Sequence, residues 1–216
     1  MQIEKLRRYA LQGDIVVIGG TSIISCLIKN VQAIQTLDHK PSKWSHTFIY
    51  LAPERIVEST MDFEPYQDTG KRLDNGVQYN FLHNYADVKT AMLMHFHFTD
   101  EERRAIVSRA DEMVQTGFRY PILGLIGTML SFWVMPWMKS NPLGTRGALY
   151  CSSFVQEVYK VVGIDFDKDK TSRNTSPEMI SQCKRTGLMI YDLSEEVKKD
   201  EPVNNDAYVE QRPAFT

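Results

Sequence analysis

An α+β fold with a small antiparallel sheet packed against helices is predicted by three observations. A short β-branched run, Gly13-Asp14-Ile15-Val16-Val17-Ile18, is followed by two strand-like runs, 46–51 and 55–60, separated only by Ala52-Pro53-Glu54. Two more strand-like runs come next, 77–82 and 89–98, and only after them do helical signals take over. Strands joined by short turns pair antiparallel, and helices gathered later in a chain pack against such a sheet.

Each element has its own signal. The 13–18 run should be a buried strand, which Gly19-Gly20 ends. Thr21 or Ser22 then caps a helix through Ile23, Ile24, Leu27, Ile28 and Val31, apolar at helical spacing. Asp38-His39-Lys40-Pro41-Ser42-Lys43 is a polar loop, and the 46–51 and 55–60 runs form a hairpin. Residues 61–76 are polar and turn-rich. Thr99-Asp100-Glu101-Glu102 is a capping box, and Ile106, Val107, Ala110, Met113 and Val114 mark the buried stripe of its helix. A further helix begins near Cys151 and ends at Gly163. Ser176-Pro177-Glu178 opens one more, with an N-cap and Pro in the first turn, and 188–193 adds a last strand.

A chain of 216 residues fills one core, so a single domain over 1–193 is expected, with an apolar helical insert at 119–145 and a polar, loosely held tail at 194–216. The formal charge of −2 and the lack of any basic run argue against a nucleic-acid partner. Three cysteines, Cys26, Cys151 and Cys183, match neither a disulfide framework nor a zinc site and should be reduced. No cofactor and no metal is expected. Met1 to Ala10 has no apolar core after its charges, unlike a secretory signal, so a cytoplasmic location is expected, or export by a non-classical route. Residues 121–138 are almost uncharged but too short and too interrupted by Gly124, Gly127 and Pro136 to span a bilayer. They suit a buried segment or contact with a membrane surface.

The chemistry centres on Cys151, in Gly147-Ala148-Leu149-Tyr150-Cys151-Ser152-Ser153-Phe154-Val155. A cysteine at a helix start meets unpaired N–H groups and the positive end of the dipole, both of which favour the thiolate. His46, opening its strand in Trp44-Ser45-His46-Thr47-Phe48, is the candidate base, and Glu58, in Val57-Glu58-Ser59, the candidate group that orients it. A hairpin turning at Ala52-Pro53-Glu54 sets His46 nearly opposite Glu58 on one face. His83, just after a strand, is an alternative orienting group. His95 and His97 share a strand face, but no third ligand motif accompanies them, so a structural role is expected. Gly19-Gly20 lacks the third glycine of a dinucleotide loop. Cys26 and Cys183 read as packing residues.

Together, Leu11-Gln12-Gly13-Asp14-Ile15-Val16, Trp44-Ser45-His46, Val57-Glu58-Ser59 and the later Tyr150-Cys151-Ser152-Ser153-Phe154-Val155 resemble the circularly permuted NlpC/P60 papain-like superfamily. The YaeF/YiiX-type amidase group is the best match, over roughly residues 11 to 190. In that group the nucleophilic Cys follows the His instead of preceding it, as here. The resemblance implies a permuted papain-like fold, a half-barrel or small sheet on helices. It also implies Cys151 as nucleophile, His46 as general base and acid, Glu58 as orienting group, and the Cys151 N–H in an oxyanion hole. The implied activity is a cysteine hydrolase acting on an amide, such as a cell-wall peptide bond. Lecithin:retinol acyltransferase-like relatives use the scaffold on lipid acyl groups, usually with a second His where Glu58 stands. The apolar 121–138 segment keeps a lipid ester open as the substrate, and a non-catalytic binding module is a third reading.

Overall fold

The computed structural model describes residues 1–60, 76–117, 151–166 and 175–194. Among the described residues, six strands form one sheet: β1 (Ile15–Gly19), β2 (His46–Ala52), β3 (Arg55–Thr60), β4 (Gly76–Phe81), β5 (Thr90–Phe96) and β6 (Leu188–Asp192). Their order is β4-β3-β2-β1-β5-β6, and every neighbouring pair is antiparallel. The α-helices among the described residues are α1 (Ile3–Tyr9), α2 (Ile23–Val31), α3 (Asp100–Gln115), α4 (Cys151–Tyr159) and α5 (Pro177–Ser181). The chain is therefore mixed α and β with an antiparallel sheet, as the order of strand and helix signals predicts.

Alternation along β1 and β2 divides the core. Ile15, Val17, Ile49 and Leu51 face one way and pack with Ile106, Ala110 and Met113 of α3 and Phe154, Val155 and Val158 of α4. Val16, Ile18, Phe48 and Tyr50 face the other way, with Ile56, Leu93, Leu82 and Leu6 of α1. Because both faces are covered, β1 is buried along its whole length, which is why it reads as a continuous apolar run.

Several caps fall where the sequence places them. Ser22 caps α2 through the Ser25 N–H, and Thr99 and Glu102 form the reciprocal capping box of α3. Ser176 caps α5, with Pro177 in its first turn. Each cap supplies an acceptor to an N–H that has no partner within the helix, an effect of about 1 kcal/mol. The 3-10 turn after α4 ends at Gly163, whose φ of 69° is left-handed.

Other expectations need correction. The seven-residue α1 has no counterpart in the predicted elements. Its sequence is dominated by Glu4, Lys5, Arg7 and Arg8, and Leu6 is its one fully buried residue, too little to show a helical period. Cys26 is exposed instead of packed, because it lies on the outer face of α2, whereas Cys183 does pack against the core. Ser194, the first residue of the expected loose tail, is held in place, its carbonyl accepting from Gln2 and its hydroxyl from the Ala91 N–H. The insert at 119–145, the Gly147 to Tyr150 lead-in and the tail from 195 lie outside the described residues.

His95 takes the structural role expected of it. Its Nδ1–H donates to the fully buried Asp14, at 2.7 Å. Arg103 of α3 reaches the other Asp14 oxygen at 2.9 Å and also donates to the carbonyls of Gln12 and Phe96. This buried charge cluster joins β1, β5 and α3.

The Gly19-Gly20 pair is explained by close approach, with no need of a phosphate. A Cβ on Gly19 would overlap the Lys43 carbonyl oxygen, and one on Gly20 would lie 2.5 Å from Ser25 Oγ. Only bare backbone lets the residues leading into His46 lie against the end of β1. There Ser45 donates its N–H to Ile18, and Gly20 donates to Ser45 Oγ at 2.9 Å. We predict that Gly19→Ala lowers stability by about 1–3 kcal/mol, as overpacking does. An unchanged urea unfolding midpoint would show that the approach is looser than described.

Candidate active site

The site lies where two strands part. β2 and β3 pair through Ile49↔Val57 and Tyr50↔Ile56, and their ladder goes no further in this direction. Beyond it, His46 and Thr47 pair only with β1, and Glu58 and Ser59 pair only with β4. Tyr50 turns its N–H to β1, donating to Asp14 O, so alternation points the Thr47 N–H toward the β3 side. The first residue of α4 fills that gap, and the Thr47 N–H donates to the Cys151 sulfur.

His46 and Glu58 are near neighbours on one face, as expected, and are related diagonally. Continuing the Ile49↔Val57 register would set Glu58 across from Phe48 and diagonal to His46. A glutamate side chain spans that diagonal. His46 Nε2 lies 2.5 Å from Glu58 Oε2. Because a carboxylate only accepts, Nε2 carries the proton in this bond, which leaves Nδ1 to face the sulfur.

Glu58 is fully buried, and a buried carboxylate requires partners. Besides His46 it accepts from Tyr85 Oη at 2.5 Å and from Asn80 Nδ2 at 2.6 Å. Tyr85 also stacks on His46, with ring centroids 5.8 Å apart and planes at 22°, and on Phe48. Asn80 is held in turn, its oxygen accepting from the Phe81 N–H and from Asn84.

The electrostatics follow from this packing. Burial alone pulls the His46 pKa down, but the negative sulfur of Cys151, then Glu58, outweigh it and push it up to about 10. Burial likewise pushes the Cys151 thiol up, while the His46 imidazolium and the N–H groups of Thr47 and Ser152 bring it below the ordinary cysteine value. For Glu58, burial raises the carboxyl, and the bonds from His46, Tyr85 and Asn80 hold it below the usual range. These interactions favour a thiolate beside an imidazolium beside a carboxylate.

A cleft of about 210 Å³ opens onto this group. Besides Cys151, His46 and Tyr85, its lining includes Ile18, Ile28 and Val88, with hydroxyls from Ser22, Ser25, Ser45, Ser59 and Thr60. Cys151 and His46 therefore border open space, the condition for meeting a ligand.

The structure thus brings together Cys151, His46 and Glu58. His83 stands elsewhere, exposed and stacked on Phe81, and is not the group that holds His46. Tyr85 and Asn80 were not singled out from sequence. An Asn inside an apolar strand was a usable signal, since strands disfavour it. Tyr85 lies in a short 3-10 turn with no periodic pattern to mark it. Among the described residues, no group of three or more His, Cys, Asp and Glu side chains could hold a metal ion, and no helix is long and apolar enough to cross a membrane. The chain matches no family model and no curated protein.

Alkylation by iodoacetamide reads the thiolate directly. For the wild type, the rate for Cys151 should rise through a midpoint below the ordinary cysteine range, then stay level while His46 remains protonated, up to about pH 10. His46→Ala should move that midpoint upward, because the cation that lowers it is gone. A mutant profile that superimposes on the wild type would refute the pairing.

Proposed function

We propose that this protein is a cysteine hydrolase that cleaves an amide bond through an acyl-enzyme, on a permuted papain-like arrangement of the NlpC/P60 kind. The observation that carries the reading is the buried Cys151, His46 and Glu58 chain at the mouth of a cleft, with the sulfur's pKa lowered and the imidazole's raised. A buried cysteine that served only packing would have no ionised partner, and burial would raise its pKa.

In the proposed reaction the Cys151 thiolate attacks the carbonyl carbon, forming a carbon–sulfur bond while the carbonyl electron pair moves to oxygen. The Cys151 backbone N–H is the proposed donor to that oxyanion. As the tetrahedral species collapses, the carbon–nitrogen bond breaks and the His46 imidazolium gives its proton to the leaving amine. Neutral His46 then takes a proton from water, whose oxygen attacks the thioester. Collapse releases the acid and restores the thiolate and imidazolium. Glu58 holds the ring in one tautomer and stabilises its charged form throughout, a role that Tyr85 and Asn80 support from behind.

The favoured substrate is a peptide amide, such as a cell-wall stem peptide. A lipid ester is the second reading, favoured by the charge-poor 121–138 sequence, which would seat an acyl chain or rest on a membrane surface. Wild type and Cys151→Ala, incubated with peptidoglycan fragments and with phospholipid vesicles, separate the two. We expect amine release from the peptide, reduced more than about a thousandfold in the variant, and a transient mass increase on Cys151. Cys-dependent release of fatty acid would instead exclude the amide reading. Loss of neither substrate would exclude hydrolysis of both.

A further inference from the structure

The residues flanking Cys151 and His46 are tied to a common third element. On the cysteine side, Ser152 Oγ donates to the Thr175 carbonyl at 2.6 Å, just ahead of α5. On the histidine side the bond comes from α5 itself. Glu178 Oε2 accepts from Ser42 Oγ at 2.5 Å, and that same Ser42 oxygen accepts from the Trp44 N–H at 2.9 Å. The Glu178 N–H donates to Gln32 Oε1 at 2.8 Å, while Gln32 Nε2 donates to the carbonyls of Trp44, at 2.8 Å, and Ile28, at 3.0 Å. Gln182 satisfies the remaining Glu178 oxygen at 2.7 Å.

These groups are buried: Gln32 is 2% exposed, Ser42 4%, Ser152 2%, Thr175 4% and Glu178 9%. Burying polar groups costs free energy unless each finds a partner, and here the side chains of Gln32, Ser42, Ser152 and Glu178 each have one. What the polar chain adds is direction. It fixes backbone atoms one residue after the sulfur and two before the imidazole, and a shift of about 1 Å there would cost on the order of a hundredfold in a reaction that needs aligned groups.

We propose that the 175–178 segment is a clamp that sets the separation of Cys151 from His46, with Gln32 and Glu178 as its positioning residues. The proposal rests on the reading of Cys151 and His46 as nucleophile and base. Neither positioning residue touches the reacting atoms. Each acts through the backbone that carries them.

The test is the pH profile of Cys151 alkylation by iodoacetamide, with urea unfolding followed in parallel, for wild type, Glu178→Ala, Glu178→Gln, Gln32→Met and Ser42→Ala. Glu178→Ala and Gln32→Met should raise the thiol midpoint by about one unit, so that alkylation at a pH below both midpoints slows about tenfold. Glu178→Gln keeps an oxygen for the Ser42 hydroxyl and should retain the wild-type profile. Ser42→Ala, which removes the hydroxyl that donates to Glu178 Oε2 and leaves the rest of α5 unchanged, should shift the midpoint in the same direction. It carries the test if Glu178→Ala does not fold. Folded variants that lose stability but keep the wild-type thiol midpoint would overturn the clamp while leaving the catalytic pair intact. A wild-type midpoint in the ordinary cysteine range would overturn the pair, and the clamp with it.

Discussion

Much of this structure depends on one requirement, that the carboxylate of Glu58 be buried with no exposure and remain charged. In a low-dielectric interior an unpaired carboxylate is too costly to keep, and the group would take up a proton instead. Three donors prevent that: His46 from β2, Asn80 from β4 and Tyr85 from the turn beyond it. The same arrangement acts in reverse on His46, whose positive form gains a negative neighbour on each side. Removing Glu58 would weaken the reason for the imidazolium to persist, and with it one stabilising charge beside Cys151.

The second requirement is a place for the sulfur, and the sheet provides it by ending one ladder early. If β2 and β3 stayed paired past Ile49↔Val57, the Thr47 N–H would meet a β3 carbonyl and not the sulfur. Parting the strands frees that donor, and the start of α4 enters the space. Strand splitting thus does for the thiolate what the helix N-terminus alone does only in part, because the sulfur receives an N–H from the sheet as well as one from its own helix. The apolar remainder of α4, Phe154, Val155 and Val158, fixes this placement by burying against the opposite sheet face.

Much of this was legible in the chain. The β-branched 13–18 run, the Thr99 capping box and the Ser176-Pro177 start are local signals whose physics does not depend on the rest of the fold, and each element formed where its signal lay. The pairing of His46 with Glu58 was legible because a hairpin converts sequence separation into cross-strand proximity. Its register was legible to within a residue, while the irregularity between Tyr50 and Ala52 at the turn end was not, since local patterns do not reveal a bulge. Tyr85 and Asn80 were missed for a related reason. They reach Glu58 only because β4 lies beside β3, a tertiary fact that no spacing encodes. The exposure of Cys26 is similar, because the face a helix buries depends on what packs against it.

The central claim is that Cys151 and His46 form an ion pair in the resting protein. Nitrogen NMR of the His46 ring, with ultraviolet detection of thiolate in wild type against Cys151→Ser, measures both members without a substrate. At neutral pH the account predicts a doubly protonated ring and a thiolate absorbance that the serine variant lacks. A neutral imidazole together with an un-ionised thiol would contradict it.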